Sequence, residues 1–393
     1  MKKFIRSAFL ISSLVGMLFM PMLSACAPKG ETLSEQTEVN QSPDFMMPSE
    51  QQAAVFARSL EEHLKNGNPD FFFRAIDWST LTDQVLQGIP QAKDAERFDR
   101  RYLISLFSEK GGIAQSVAEK VRMGGTYHFL RTKKINANTI AVTFRLVDAD
   151  GGLDYHDLYL VLKAGKLVQI REFYLYHFDE TFSETLRRTL VPNLYVDGKN
   201  DYGMMMSELI MLLHKENKLL IQEFAKAFEE KKPQRALDLF DQLPKELRCL
   251  KTFQLWRLKA AQLHDDPAVY SFVLADIRQR YRQEGWIDFL SLDYFFNHRE
   301  FQKALACINH IDTLVGGDPY LENFRCWAFL NLENIPEAQR HFDCAIAKEP
   351  ELMNDRSFQS LKKRLEMAKA APIEPAEQEL NPFRKPIGLE TIE

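Results

Sequence analysis

Apolar positions change their period twice along the chain, and the changes mark its parts. Phe56, Leu60 and Leu64 fall on one helical face, and Asn66-Gly67-Asn68-Pro69 closes that helix. Leu81, Val85 and Leu86 continue the helical period, and a long helical segment is predicted from Arg97 to Val121 with a kink at Gly111-Gly112. After it the period becomes two, as expected of half-buried strands. Thr126–Lys134, Thr139–Asp148, Asp154–Lys163 and Leu167–Phe178 read as a four-stranded antiparallel meander. Its turns are Asn136-Ala137-Asn138, Asp150-Gly151-Gly152 and Ala164-Gly165. From about residue 200 the strand signals vanish and helical periodicity runs to residue 369, with 353–369 as a closing helix. The expected organisation is residues 1–25, a leader; 26–50, a tether; 51–198, an α+β domain; 199–370, an all-α domain; and 371–393, a Pro-rich disordered tail.

The second half carries an internal period. Ala338, Phe342, Ala345 and Pro350 follow an Ala-x3-Phe-x2-Ala-x4-Pro pattern. The same frame gives Ala304, Ile308 and Ile311; Ala268, Phe272 and Ala275; and Ala236, Phe240 and Leu243. The four anchor alanines are 32, 36 and 34 residues apart. A small residue lets two helices approach to about 8–10 Å, and the large residue one turn later fills the space beside it. One such pair cannot bury its apolar face alone, so several stack. This pattern resembles the tetratricopeptide repeat over residues 201–352, although the Gly-Tyr signature of each first helix is degraded. The alternative is an irregular α-bundle. The resemblance implies a concave surface lined by first helices, hence by Phe253 and Arg257, then Trp286, Phe289, Asp293 and Phe296, then Tyr320, Asn323, Trp327 and Leu330. Rigid aromatics with a few polar groups suit a peptide or protein partner. The competing expectation is that these aromatics bury against the rest of the chain.

Helices followed by a curved meander resemble, over residues 51–190, the nuclear-transport-factor-two-like (SnoaL-like) superfamily of cone-shaped α+β folds, with a cystatin-like roll as the alternative. Enzymes of that superfamily place a His or carboxylate inside the cone as general acid or base. Simple alternation puts His128, His156, Glu172 and Tyr174 on the same face as Leu130, Val142, Phe144, Leu146, Leu158, Leu160, Leu162 and Ile170. Those four residues are the candidate pocket for a small-molecule binder or isomerase-like enzyme. The plainer alternative leaves the histidines near strand ends in water and pairs Glu172 with Arg145 or Arg171.

The N-terminus reads as an address. Lys2, Lys3 and Arg6 precede an apolar run from Phe9 to Phe19, and Pro21 and the small residues Ser24 and Ala25 follow, the order of a secretory signal peptide. Leu23-Ser24-Ala25-Cys26 resembles the lipobox of bacterial lipoproteins, which implies cleavage before Cys26 and its acylation. By the same resemblance Ala27, where an Asp would favour inner-membrane retention, points to the outer membrane. Residues 27–50 contain three Pro and show no period, as expected of a tether.

Composition narrows the remaining choices. The 393 residues suggest two or three domains at roughly 150 residues each. The net charge is −5, and removing residues 1–25 takes away three positive charges and no negative ones, leaving −8. Such a chain lacks the basic surplus of a nucleic-acid coat. Cys249, Cys307, Cys326 and Cys344 lie in helical segments, so free, buried thiols are expected, with two disulfides in an oxidising compartment as the alternative; no CxxC suggests a zinc or redox site. No phosphate loop, dinucleotide fingerprint, HExxH or nucleophile elbow occurs, so no catalytic residue, cofactor or metal is assigned. His264-Asp265-Asp266-Pro267 reads as a solvated turn. The sequence therefore points to a lipid-anchored, non-enzymatic interaction scaffold of the bacterial cell envelope, with cone-pocket chemistry as the alternative.

Overall fold

The computed structural model describes residues 45–87, 112–149, 151–163, 167–186, 215–282 and 284–370. The signal segment, Cys26 and the tether up to residue 44, residues 97–111 of the expected long helix, the 198/199 boundary and the Pro-rich tail lie outside the described residues.

Chain entry is marked by a two-residue strand β1 (Phe45–Met46), followed by α1 (Glu50–Lys65), α2 (Asp70–Ala75), α3 (Trp78–Leu86) and α4 (Ile113–Arg122). Ser49 opens α1 with a capping box: Gln52 N–H donates to its hydroxyl, and its own N–H donates to the Gln52 side chain at 2.8 Å. Phe56, Leu60 and Leu64 are buried, as their spacing requires. The meander follows as β2 (Thr126–Lys134), β3 (Ile140–Val147), β4 (Leu153–Lys163) and β5 (Leu167–Leu175), with short β6 (Glu180–Thr181). The sheet is antiparallel in the order β2-β3-β4-β5-β6, and β1 pairs with the end of β4. Gly125 joins α4 to β2 where a Cβ would lie 2.5 Å from the Val147 carbonyl oxygen, so the approach of the two segments requires glycine there.

The helical region runs through α5 (Lys215–Glu229), α6 (Pro233–Gln242), α7 (Lys245–Arg248), α8 (Lys251–Leu263), α9 (Pro267–Arg280), α10 (Trp286–Asn297) and α11 (Phe301–Val315). After it come α12 (Leu321–Asn331), α13 (Ile335–Lys348), a 3-10 turn (Pro350–Asn354) and α14 (Arg356–Ala370). The architecture is thus an antiparallel α+β sheet domain followed by a helical region. None of the described helices is long and apolar enough to cross a membrane. Cys249, Cys307, Cys326 and Cys344 are free thiols, as expected, the middle two buried.

The chain separates into two compact units at Asp318/Pro319. In the first, sheet residues such as Phe144, Leu158 and Phe173 share one core with Leu255, Leu258, Val273, Leu274, Ile277, Trp286 and Leu290 of the helices. The sheet and helices α8, α9 and α10 therefore cohere through common apolar burial. A second core lies among α5, α6 and α8, around Phe224, Phe240, Phe253 and Trp256.

Burial corrects the repeat frame. Ala236, Ala304 and Ala338 are fully buried, but Ala268 is exposed and Phe272 is 69% exposed. On α9 the buried residues are Val273, Leu274 and Ile277. Two residues on from Ala268 stands half-buried Tyr270, and with it the frame becomes regular: Ala236, Tyr270, Ala304 and Ala338 are each 34 residues apart. Phe240, Leu274, Ile308 and Phe342 follow at the same spacing, as do Leu243, Ile277, Ile311 and Ala345, and all eight are buried. The second unit departs from the small-residue pattern because it carries Tyr270 where the others carry alanine.

Candidate functional site

Two β-bulges decide where the candidate pocket residues point. Register shifts between Phe129 and Arg131 on β2, leaving Leu130 as the extra residue. On β5, Glu172 pairs with Tyr159 but Ile170 pairs with Leu160, leaving Arg171 extra. A bulge reverses the alternation beyond it. His156 consequently faces the helix-covered core with Phe144, Leu158, Phe173 and Leu175, whereas His128, Glu172 and Tyr174 take the register of Arg145, Tyr159 and Asp157 on the opposite face. The expectation of one face holding all four is corrected: His156 is separated from the other three.

Each is held by local partners. His128 Nδ1 lies 2.7 Å from Glu61 Oε1, and the same carboxylate accepts from the Phe129 N–H at 3.1 Å, so α1 caps the edge of β2 at its bulge. Burial works to raise the Glu61 pKa, but hydrogen bonding and charge from His128 outweigh it and hold the carboxyl below its usual range. Tyr174 donates to Asp179. Glu172 is buried and accepts from its neighbour Phe173 N–H at 2.8 Å and from Ser183 N–H at 3.2 Å. Burial raises its pKa to about 7 against these bonds. It pairs with neither arginine expected for it by hydrogen bond; Arg145 forms an ion pair with Asp318 instead.

The core face carries a polar chain that the sequence did not mark. Tyr127 OH is 3.2 Å from His156 Nδ1, and His156 Nε2 is 3.4 Å from Asp154. Burial raises the Tyr127 pKa well above normal, so its phenol stays protonated beside the imidazole. At Asp154, burial acts upward and is outweighed by the His156 hydrogen bond and by the charges of His156, His177 and Lys120, which lower the pKa. All three residues are buried among Phe72, Phe144 and their neighbours, so the chain satisfies polar groups inside the core.

The opposite face of the sheet meets the helices through a clasp. Arg145 Nη1 contacts Asp318 Oδ1 at 2.6 Å, and Tyr155 OH donates to Asp318 Oδ2 at 2.6 Å, all three side chains being buried. Arg131 donates to the carbonyl oxygens of Gly316 and Gly317. Gly316 has φ 78°, the left-handed backbone that ends α11 and turns those carbonyls toward Arg131.

The expected partner-binding line along the helices is largely occupied by the chain itself. Phe253 and Trp286 are fully buried, which corrects their placement on an open surface. Trp286 is covered by Tyr281 and by the Lys251 ammonium 4.9 Å from its ring. Phe289 packs edge-on to Tyr155 and lies beside His177. Arg257 pairs with Asp276 and covers Phe240. Asp293 is half-buried, with its pKa raised to about 6 by burial and then by the charge of Asp148. Phe296 is half-buried against Phe301. Within the second unit, Tyr320 packs on Phe358 and Asn323 donates to Ser357 at 2.9 Å. Arg364 covers Trp327 at 4.0 Å, and Leu330 is half-buried. The closing helix α14 thus occupies the line in that unit. The competing expectation, burial against the chain, describes most of these residues.

An open cavity of about 790 Å³ lies elsewhere, between α1, α2 and the start of β5. Val55, Phe56, Phe71 and Leu167 supply its apolar surface, and Ser59, His63, Arg74 and Gln169 its polar one. His63 stacks on Phe71 with ring centroids 4.4 Å apart. Sequence reasoning missed this slot; its signal was Val55, an apolar residue one position off the buried face of α1. No group of His, Cys, Asp and Glu suited to a metal occurs among the described residues. His264 accepts or donates with Gln234 at 2.9 Å, and Asp266 caps α9, so the His-Asp-Asp-Pro segment is a turn as expected. Comparison with known proteins finds no matching family model, no matching curated protein and no matching solved structure.

Proposed function

We propose that this protein is a lipid-anchored lipoprotein of the bacterial cell envelope that acts as a non-enzymatic protein-interaction scaffold. The observation that carries the scaffold reading is the strict 34-residue recurrence of buried positions on successive helices, from Phe240 and Leu243 through Phe342 and Ala345. That recurrence supports tetratricopeptide-type repeats, whose stacked helices present extended binding surfaces. The sheet domain, with helices preceding a curved meander, fits the nuclear-transport-factor-two-like cone and is a second docking unit. The separation of His156 from His128, Glu172 and Tyr174 supports this reading over the enzymatic alternative, which placed all four on one face. The address comes from Leu23-Ser24-Ala25-Cys26, with the chain held by acyl groups on Cys26 and Ala27 directing it to the outer membrane.

The anchor and the scaffold are tested together. Intact-mass analysis of the membrane-purified protein should find an acylated N-terminal Cys26, and Cys26→Ser should release the chain into the soluble fraction. Crosslinking in envelope extract should then join the wild-type protein to a defined partner. An unmodified N-terminus refutes the anchor, and a chain that crosslinks to nothing refutes the scaffold.

A further inference from the structure

The slot between α1, α2 and β5 has one feature that a surface dent lacks: a strand edge looks into it. Asp77 N–H donates to the Ile170 carbonyl oxygen at 2.8 Å, so the backbone polar groups of Ile170 face α2 and α3. Residues two apart on a strand face the same way. Val168 pairs with Leu162 in the same unbroken register, before the bulge at Arg171, so its N–H and C=O face the same side, into the slot. Among the described residues no strand pairs with β5 there, since β6 reaches only Tyr174 and Leu175 and the lone bridge on that side is Ile76 to Ile170. An unpaired edge of this kind is a template for an added strand.

The surroundings suit such a strand. Val55 and Leu167 are each 59% exposed at the rim, and Phe56 and Phe71 lie within. Arg74 stands exposed on α2 at the slot and makes no ion pair among the described residues. Exposed apolar residues beside an unpaired strand edge mark an interaction surface.

We infer that this slot binds an extended peptide segment of a protein partner as an added β-strand on Val168, taking apolar side chains at alternate positions against Val55, Phe56 and Phe71 and a carboxylate against Arg74. The occupant follows from three features together. The strand edge asks for backbone amides, the apolar rim for side chains at a two-residue spacing, and the guanidinium for a negative charge. A flat lipid surface supplies none of the amides. This inference rests on the scaffold reading and names its binding surface.

The probe is a random twelve-residue peptide library displayed on phage, selected on the full mature chain carrying Cys26→Ser. Selected peptides should carry alternating apolar residues and an acidic residue. Synthetic copies should lose roughly tenfold or more in affinity, by fluorescence anisotropy, toward Val55→Asp/Leu167→Asp and toward Arg74→Glu. Exchanging the peptide's acidic residue for Lys should restore binding to Arg74→Glu. N-methylation of alternate peptide amides should abolish binding, which a contact through side chains alone would survive. The altered residues are exposed, and an unchanged urea midpoint confirms that the variants remain folded. The inference is overturned if no peptide is enriched or if peptides bind wild type and variants equally. It is overturned too if Val55 and Leu167 instead govern cosedimentation with phosphatidylethanolamine/phosphatidylglycerol vesicles or self-association. The scaffold reading stands or falls separately, on the envelope crosslink.

Discussion

Asp318 is fully enclosed at its side chain, with Arg145 on one carboxylate oxygen and Tyr155 on the other. Removing one partner of such a pair leaves a buried charge uncompensated, which typically costs about 3–5 kcal/mol. Arg145→Ala should therefore lower the stability of the first unit by that amount in urea unfolding, while Arg122→Ala, whose partner Glu119 is exposed, should shift it by less than about 1 kcal/mol. Equal effects from the two would show that the clasp is solvated. Glu172 gives a second prediction. Its folded pKa of about 7 lies above its ordinary value of 4.5, so its stabilising neutral form is fully present below pH 4.5 and lost as pH rises through 7. Ionisation in place should cost on the order of 3 kcal/mol at pH 8. Glu172→Gln should accordingly gain stability relative to wild type between pH 5 and pH 8. A constant difference at the two pH values would mean that Glu172 is ionised throughout. These residues also mark the limit of reading the sheet from alternation. His156 was placed among the core residues correctly because no bulge intervenes between it and Leu158. Glu172 and Tyr174 were misplaced because a single extra residue, Arg171, exchanges the faces, and nothing in a run of Val, Gln, Ile, Arg and Glu marks which residue will be extra.

Among elements, the meander was legible nearly to the residue. β2 spans the expected Thr126–Lys134, and the other strands differ by a few residues at their ends, since period-two burial and Gly turns are local signals. The repeat helices were legible in period but not in phase. Tyr270 replaces the small residue, so the frame slipped by two onto exposed Ala268 and Phe272. The two frames predict different mutational costs. Ala304→Leu and Ala338→Leu insert bulk at fully buried crossings and should each cost about 1–3 kcal/mol. Ala268→Leu adds bulk on the exposed side of α9 and should lie within about 0.5 kcal/mol of wild type. Thermal unfolding of the three variants separates the frames. A large loss at Ala268 would restore the slipped one.

At the scale of the whole molecule, the break expected near residue 198 and the compact division at Asp318/Pro319 imply different folding units. A sequence reads a boundary where one periodicity gives way to another, but cohesion follows shared burial. Leu255, Leu258, Val273, Leu274, Ile277, Trp286 and Leu290 belong to the core built on Phe144, Leu158 and Phe173, and the Arg145–Asp318–Tyr155 clasp closes the same unit at its far end. A fragment of residues 27–198 keeps the sheet but loses every one of those helical side chains, leaving apolar surface in water at roughly 25 cal/mol per Å². That exposure outweighs the few kcal/mol of net stability typical of a small domain. Residues 27–198 should therefore bind a hydrophobic dye and unfold without a cooperative transition, whereas residues 27–319 should unfold in one steep urea transition by circular dichroism. The comparison is decisive in either direction. If the shorter fragment unfolds cooperatively with native-like steepness, the sheet is an autonomous domain and its packing on the helices is docking between finished parts. If only the longer fragment does so, helices α8, α9 and α10 are part of the sheet's own core. The buried position of Trp286 is then a folding requirement, and the partner proposed above would be met on another surface, the strand edge at Val168.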